Sequence, residues 1–272
     1  MLAIQFMAFA ALSASSQPSP QLKPATEAAN AVAIADDAAA RRGNLSQVAV
    51  LATAHLSALP KDFDMRRLAG LIDKLAAWKP EKIAIEGLSG AQCDYLKAYA
   101  FAYKDTWKDY CRDPAAARAA LGLDGAAAEA EIERILATAK IDRPAVQRRR
   151  LAALFLAAGE PASALVQWLR LADAERHSDN SLPQSLVDVL IMLETRRNEN
   201  YLIAAPLAVR LGHERVYPVD DHTGDRATGP YDEKLFGQEI TAIWNNDAAR
   251  ARRSEDEGWF KRIAAGGDLI GW

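Results

Sequence analysis

Along the chain, short solid apolar runs alternate with longer stretches in which apolar residues recur at helical spacing. Val48-Ala-Val-Leu-Ala52 and the core of Lys82-Ile-Ala-Ile-Glu86 are runs of strand length. Between them Leu68, Leu71, Ile72, Leu75 and Trp78 repeat every three or four positions, which predicts a helix over 65–78. A strand, a helix and a strand in that order predict a right-handed crossover and parallel strands. A third run, Arg215-Val-Tyr-Pro-Val-Asp220, predicts a short, bulged or edge strand, because Pro218 has no N–H to give to a ladder.

Helices are predicted over 26–42, closed by Gly43, and from Ser89-Gly-Ala-Gln92, whose Ser and Gln have the spacing of a capping box. Others are predicted over 198–211, ended by Gly212, and over 232–244 and 247–265. From Asp113 to Glu194 no strand is expected. Pro114, Gly122, Gly125, Pro144, Gly159, Pro161 and Pro183 punctuate that stretch into helices, several of them placed for helix starts. Leu151, Leu154, Phe155, Leu165, Trp168, Leu169 and Leu171 predict a packed helical hairpin there, and no second copy at that period supports a repeat array. The expected fold class is α/β: a mainly parallel sheet with flanking helices and a large all-helical insertion at about 113–195. Residues 1–25 form a signal-like apolar segment and a Ser/Pro-rich linker, and 26–272 a single domain.

Composition narrows the classes. Half of the 272 residues are hydrophobic, a quarter are charged and the net charge is −3, the balance of a globular domain without a basic face for nucleic acid. Arg148-Arg149-Arg150 and Arg250-Ala-Arg-Arg253 are expected on solvated helix faces. The apolar stretch from Met1 to Ala14 is too short to span a bilayer and has the length of a secretory signal core, although no Lys or Arg precedes it. Export to the periplasm or medium is the expectation, with no transmembrane span in the mature chain. Cys93 and Cys111 fit neither a zinc site nor a disulfide framework. Cys93 is expected as an unpaired thiol packed on a helix, a single bridge being the alternative in an exported chain.

The chemistry-bearing residues sit where open sheets place ligands, at the carboxyl ends of strands. His55 follows the first run, Glu86 ends the second, and Asp220 ends the third with His222 just beyond. One imidazole and two carboxylates suit a divalent metal that activates water. Without metal the same His55, Glu86 and Asp220 suit general acid–base work. The bland readings are a histidine that anchors a strand end and carboxylates that cap helices. His213, after Gly212, reads as helix-end chemistry, and His177 lies in an exposed charged stretch. No glycine-rich phosphate loop follows the first run, and no Gly-x-Ser-x-Gly nucleophile turn occurs.

Ala52-Thr53-Ala54-His55 and Lys79-Pro-Glu-Lys-Ile-Ala-Ile-Glu86 resemble the Gly-Thr-x-His and Lys-Pro-x-x-Ile-Ala-x-Glu signatures of a bacterial family related to the erythromycin-esterase, TraB/Tiki and ChaN-like superfamily. Asn198-Glu199, the helix to Gly212, and Arg215-Val-Tyr-Pro-Val-Asp220 are similar to its next block. The likeness covers about 47–100 and 196–224. It implies an α/β fold with a polar site at His55, Glu86, Glu199 and Asp220, and a wider group that includes an esterase, metal-dependent proteases and a haem-binding protein. Ala52 stands where such proteins usually carry Gly, and the Arg-Asn helix and Gly-x-Gly-His strand end that usually follow are not found after Asp220. A branch without that element or a shortened chain is therefore expected. The expected function is a hydrolase-like protein acting on an ester or amide of a small molecule or peptide, with or without a divalent metal. The alternatives are a non-catalytic protein holding a small ligand or haem, and a relative without activity.

Overall fold

Helices dominate the computed structural model: 64% of it is helical and 3% strand. It describes residues 24–43, 46–53, 55–103, 106–138, 142–226 and 231–266, so most of the signal-like segment and the last six residues lie outside the description. Two compact units divide the chain, 1–52 and 53–272. In the first, helix α1 (Pro24–Ala40) fills most of the predicted 26–42 segment. The apolar run after it is not a strand. Residues 46–52 are irregular, and Val48 and Val50 are 81% and 89% exposed, because no ladder takes up their backbone groups.

The second unit is built around a helical hairpin. Helix α7 (Ala145–Ala158) is buried along ten residues, Arg148 and Arg149 among them, and from Leu151 on it is enclosed on all sides and not amphipathic. Gly159 ends it in the left-handed conformation, and Pro161 opens α8 (Pro161–Leu169), the arrangement in which a proline loses no helical hydrogen bond. Helices α5 (Ala115–Leu121) and α6 (Gly125–Leu136) pack on α7, and α9 (Gln184–Thr195) and α10 (Ala205–Arg210) pack on α8. What reads in the sequence as an insertion covering a sheet is the core itself.

Only two strands occur among the described residues, β1 (Ala84–Ile85) and β2 (Tyr217–Pro218), parallel and in register Ala84 to Tyr217. The α/β expectation is thus corrected to a mainly helical fold. Helix side chains occupy the places further strands would take. Beside β2, Ser163 of α8 donates to the Val216 carbonyl at 3.0 Å and accepts the Val216 N–H at 3.3 Å. Gln167 donates to the Glu214 carbonyl at 2.6 Å, and beyond β1 the Asn200 amide donates to the Glu86 carbonyl at 2.8 Å. These bonds meet backbone groups that flank the two strands, at Glu86, Glu214 and Val216. Ile83, Ile85 and Val216 join the main apolar cluster with Leu154, Leu165 and Trp168.

The Arg148–Arg150 run is likewise not a solvated face. Arg148 meets Gln167 and Glu214, Arg149 meets Glu175 and Asp179, and Arg150 meets Glu131. Burial alone would push the Glu214 carboxyl up, but the Gln167 amide and the guanidiniums of Arg170, Arg148 and Arg143 hold it below its ordinary value. Arg250, Arg252 and Arg253 do lie exposed, on α12 (Asp247–Ala264).

Asp179 carries an acid dependence. Partial burial would raise its carboxyl, yet the Ser181 hydroxyl, Arg149 and the N–H groups of Ser181 and Leu182 hold it at about 2, against an ordinary 3.8. A depressed carboxylate stabilises the fold above its unfolded value and loses that contribution as the pH falls from about 4 toward 2. Acid titration of stability should show an Asp179 contribution of about 2 kcal/mol across that window. Asp179→Asn should flatten the limb, and an equally steep limb in the variant would contradict the assignment.

Helix α3 (Gly90–Ala98) starts in a capping box in which the Ser89 hydroxyl accepts the Gln92 N–H and the Gln92 side chain accepts the Ser89 N–H. Its first residue abuts the end of α7: a Cβ on Gly90 would lie 1.5 Å from the Ala158 carbonyl oxygen and 3.2 Å from the Gly159 Cα. Backbone cannot swing aside as a side chain can, so Gly90→Ala should cost about 1–3 kcal/mol or more. Gly237 lies within helix α11 (Glu233–Trp244) with open space around it, so Gly237→Ala should stabilise by about 0.5–1 kcal/mol. Chemical denaturation of the two variants checks both signs, and a neutral Gly90→Ala would contradict the packing.

Candidate functional site

The site residues are carried by the connections around the strand pair. His55 stands just before a one-turn 3-10 helix (Leu56–Ala58). Leu56, Leu59 and Phe63 bury their side chains with Ile203 and Ile263, while Phe260 packs against the same cluster. The Arg197 guanidinium donates to the carbonyls of Leu59, Pro60 and Lys61 at 2.7–2.8 Å, tying the loop after His55 to the segment that carries Glu199.

Glu199 immediately precedes a π-helical turn (Asn200–Ala204) that runs into α10. The wide turn has a local cause. Pro206, in the first turn of α10, offers no N–H to the turn before it, and its ring crowds the preceding carbonyl. Oε1 of Glu199 accepts the Leu56 N–H at 2.7 Å and the Thr53 hydroxyl at 3.2 Å, and lies 3.7 Å from Nδ1 of His55. The carboxylate is therefore fixed on both sides of His55 along the chain. Its own side chain is 20% exposed against 72% for His55. At 3.7 Å the imidazole is within ion-pair range and beyond hydrogen-bond distance. Next to Asn200, burial pushes the Tyr201 phenol up, with Arg196 and Arg112 pulling partly against it.

The other two predicted residues join through the backbone. Asn200 bonds the Glu86 carbonyl, and the Asp220 N–H donates to the Gly87 carbonyl at 3.1 Å. The His55 loop, the carboxyl end of β1, the carboxyl end of β2 and the start of the Glu199 helix thus meet at one hydrogen-bonded edge. The side chains divide there. His55 pairs with Glu199, and the Glu86 side chain faces solvent. Asp220 turns to His222, with Oδ2 3.4 Å from Nε2, while Nδ1 of His222 lies 3.0 Å from Oδ2 of Asp225. Tyr110 stacks on the His222 ring, centroids 3.9 Å apart.

Among the described residues no three His, Cys, Asp or Glu side chains are grouped to hold a metal ion. The metal set expected from His55, Glu86 and Asp220 is not assembled, because Asp220 is engaged by His222 and Glu86 meets the group only through its carbonyl. Of His55 and His222, the residues a haem reading would use, His222 has both ring nitrogens against carboxylates. Thr53, Arg197, Asn200, Tyr110 and Asp225 escape the sequence reading. Two leave a local signal there, Thr53 inside the Gly-Thr-x-His-like stretch and Asp225 three residues beyond His222. His213 follows the end of α10, but its ring Nε2 lies 2.8 Å from the carbonyl oxygen of Pro80 on another segment, and His177 is exposed.

No family model, no curated protein and no solved structure matches this chain. Among the described residues no helix is long and apolar enough to cross a membrane.

Proposed function

We propose that the chain is a hydrolase-like protein acting on an ester or amide, with His55 as the general base and Glu199 as the group that orients it. The observation that carries the reading is the single Glu199 oxygen held by Leu56 and Thr53 beside Nδ1 of an otherwise solvent-facing imidazole. A carboxylate that hydrogen-bonds one nitrogen selects the tautomer and stabilises the imidazolium, so closing the 3.7 Å gap to Nδ1 would leave the other nitrogen for the reacting proton. In the reaction water loses a proton to His55 as its oxygen bonds the carbonyl carbon. The C–O or C–N bond then breaks, and the leaving alkoxide or amine takes the proton back. Glu86 and Asp220 border the same edge and give it acidic character, which favours neutral or cationic substrates over anionic ones. The Gly-Thr-x-His-like and Asn-Glu signatures support the same class. The Cys93–Cys111 pairing supports an oxidising compartment, in keeping with export.

The test is a panel of chromogenic esters and amides assayed with and without chelator. Turnover that survives chelation and disappears in His55→Ala is expected. No turnover on any substrate, or equal turnover in His55→Ala, would contradict the proposal. Activity lost to chelator and restored by a divalent cation would replace it with a metal route.

A further inference from the structure

We infer that the disulfide between Cys93 and Cys111 acts as a clamp that seats Tyr110 on His222, making Tyr110 a positioning residue for the Asp220–His222–Asp225 group. Nothing in this inference rests on the hydrolytic reading, since its readouts are spectroscopic.

Cys93 lies on α3 and is buried with Leu88, Leu96 and Tyr103. Cys111 directly follows α4 (Thr106–Tyr110), and the two Cα atoms are 5.7 Å apart. The bridge, 18 residues across, corrects the expectation of an unpaired Cys93. Its position matters because the segment it closes is the one that touches the loop after Asp220. Tyr103 donates from its hydroxyl to the Thr223 carbonyl at 3.0 Å, and the Thr106 hydroxyl lies 3.5 Å from Oδ2 of Asp225. Tyr110, one residue before the bridged cysteine, covers His222 with its ring planes 27° apart.

A five-residue helix is too short to hold itself together, and among the described residues α4 is not buried at any position. Trp107 packs partly buried against the Cys93 cluster with Lys97 over its ring at 4.5 Å, and the disulfide adds to these contacts the covalent tie that fixes the end of α4 bearing Tyr110. Under the clamp the His222 side chain is 18% exposed with each nitrogen facing a carboxylate, and an imidazole carrying both protons can donate to both. Reduction by a small dithiol breaks the S–S bond, delivers two electrons and two protons to form two cysteine thiols, and oxidises the dithiol to its own disulfide. The segment bearing Tyr110 then loses its tie, and His222 becomes open to solvent and ligands beside Asp220.

The test is to follow the ring C–H resonances of His222 in the full-length protein, assigned by their loss in His222→Gln. In the oxidised protein the stacked Tyr110 ring should displace them from the positions of an exposed histidine. Complete reduction, verified by thiol titration, should move them toward those positions. Tyr110→Leu should do so with the disulfide intact, and diethylpyrocarbonate should modify His222 several-fold faster in both cases. Resonances that stay in place on reduction, or that Tyr110→Leu leaves unmoved, would overturn the clamp. Global unfolding on reduction, seen by circular dichroism, would overturn it as well, because the bridge would then be a general staple.

Discussion

Trp168→Ala should lower the free energy of unfolding by about 3–5 kcal/mol, the cost of removing a large buried aromatic side chain and leaving a cavity. Trp168 lies on α8 at the centre of the main apolar cluster and is 2% exposed. Its indole N–H donates to the Glu194 carboxylate on α9, so truncation also strips a partner from a partly buried acid. The surrounding helices cannot close over the gap easily, because α7 is already packed on every side from Leu151 on. Trp244→Ala on α11 serves as the control. That side chain is 63% exposed, and its loss should change stability by about 0.5 kcal/mol or less. Urea midpoints of the two variants decide the matter, and similar losses would contradict the assignment of the α7–α8 hairpin as the core.

His55→Ala should lower kcat/KM toward the best ester substrate by about 10²–10⁴-fold, the range general-base catalysis supplies. The loss should fall on kcat, since an exposed imidazole holds little of the substrate in the ground state. The fold should be untouched, because the His55 side chain is 72% exposed. Unfolding curves that overlay wild type, together with a collapsed rate, would separate a chemical role from a structural one. A rate within about twofold of wild type would remove His55 from the mechanism, since general-base loss is far larger.

How far the chain could be read depended on whether a signal was local. The Ser89–Gln92 capping box, the stop at Gly212 and the hairpin punctuated by Gly159 and Pro161 are chemistry within a few residues, and each appears as expected. The sheet did not follow from such signals. Val48-Ala-Val-Leu-Ala52 has strand composition, but a strand exists only with a ladder partner, and whether one is available is a tertiary fact. Ser163, Gln167 and Asn200 are polar residues within helices or at a helix start, and nothing in their spacing says that they would complete the edges of a two-stranded sheet. The buried Arg148 and Arg149 misled for the same reason. Their acids, Glu214, Glu175 and Asp179, lie 26 to 66 residues away along the chain. In the site, Glu86 and Asp220 do follow the two strands, but the run before His55 is not a strand, His55 reaches them by way of Glu199 and Asn200, and side-chain direction was not legible. Asp220 follows His222 and Asp225, partners set by the turn it enters.

The central claim is that His55 and Glu199 act as one unit, and a double-mutant cycle on kcat/KM tests it most directly. His55→Ala, Glu199→Gln and the double variant are compared on one ester substrate, with folding checked by denaturation. If Glu199 works through His55, Glu199→Gln lowers the rate in wild type and adds almost nothing once His55 is gone, so the double variant matches His55→Ala. Losses that simply multiply, or a Glu199→Gln variant as active as wild type, would show that the two residues are neighbours and not a catalytic pair.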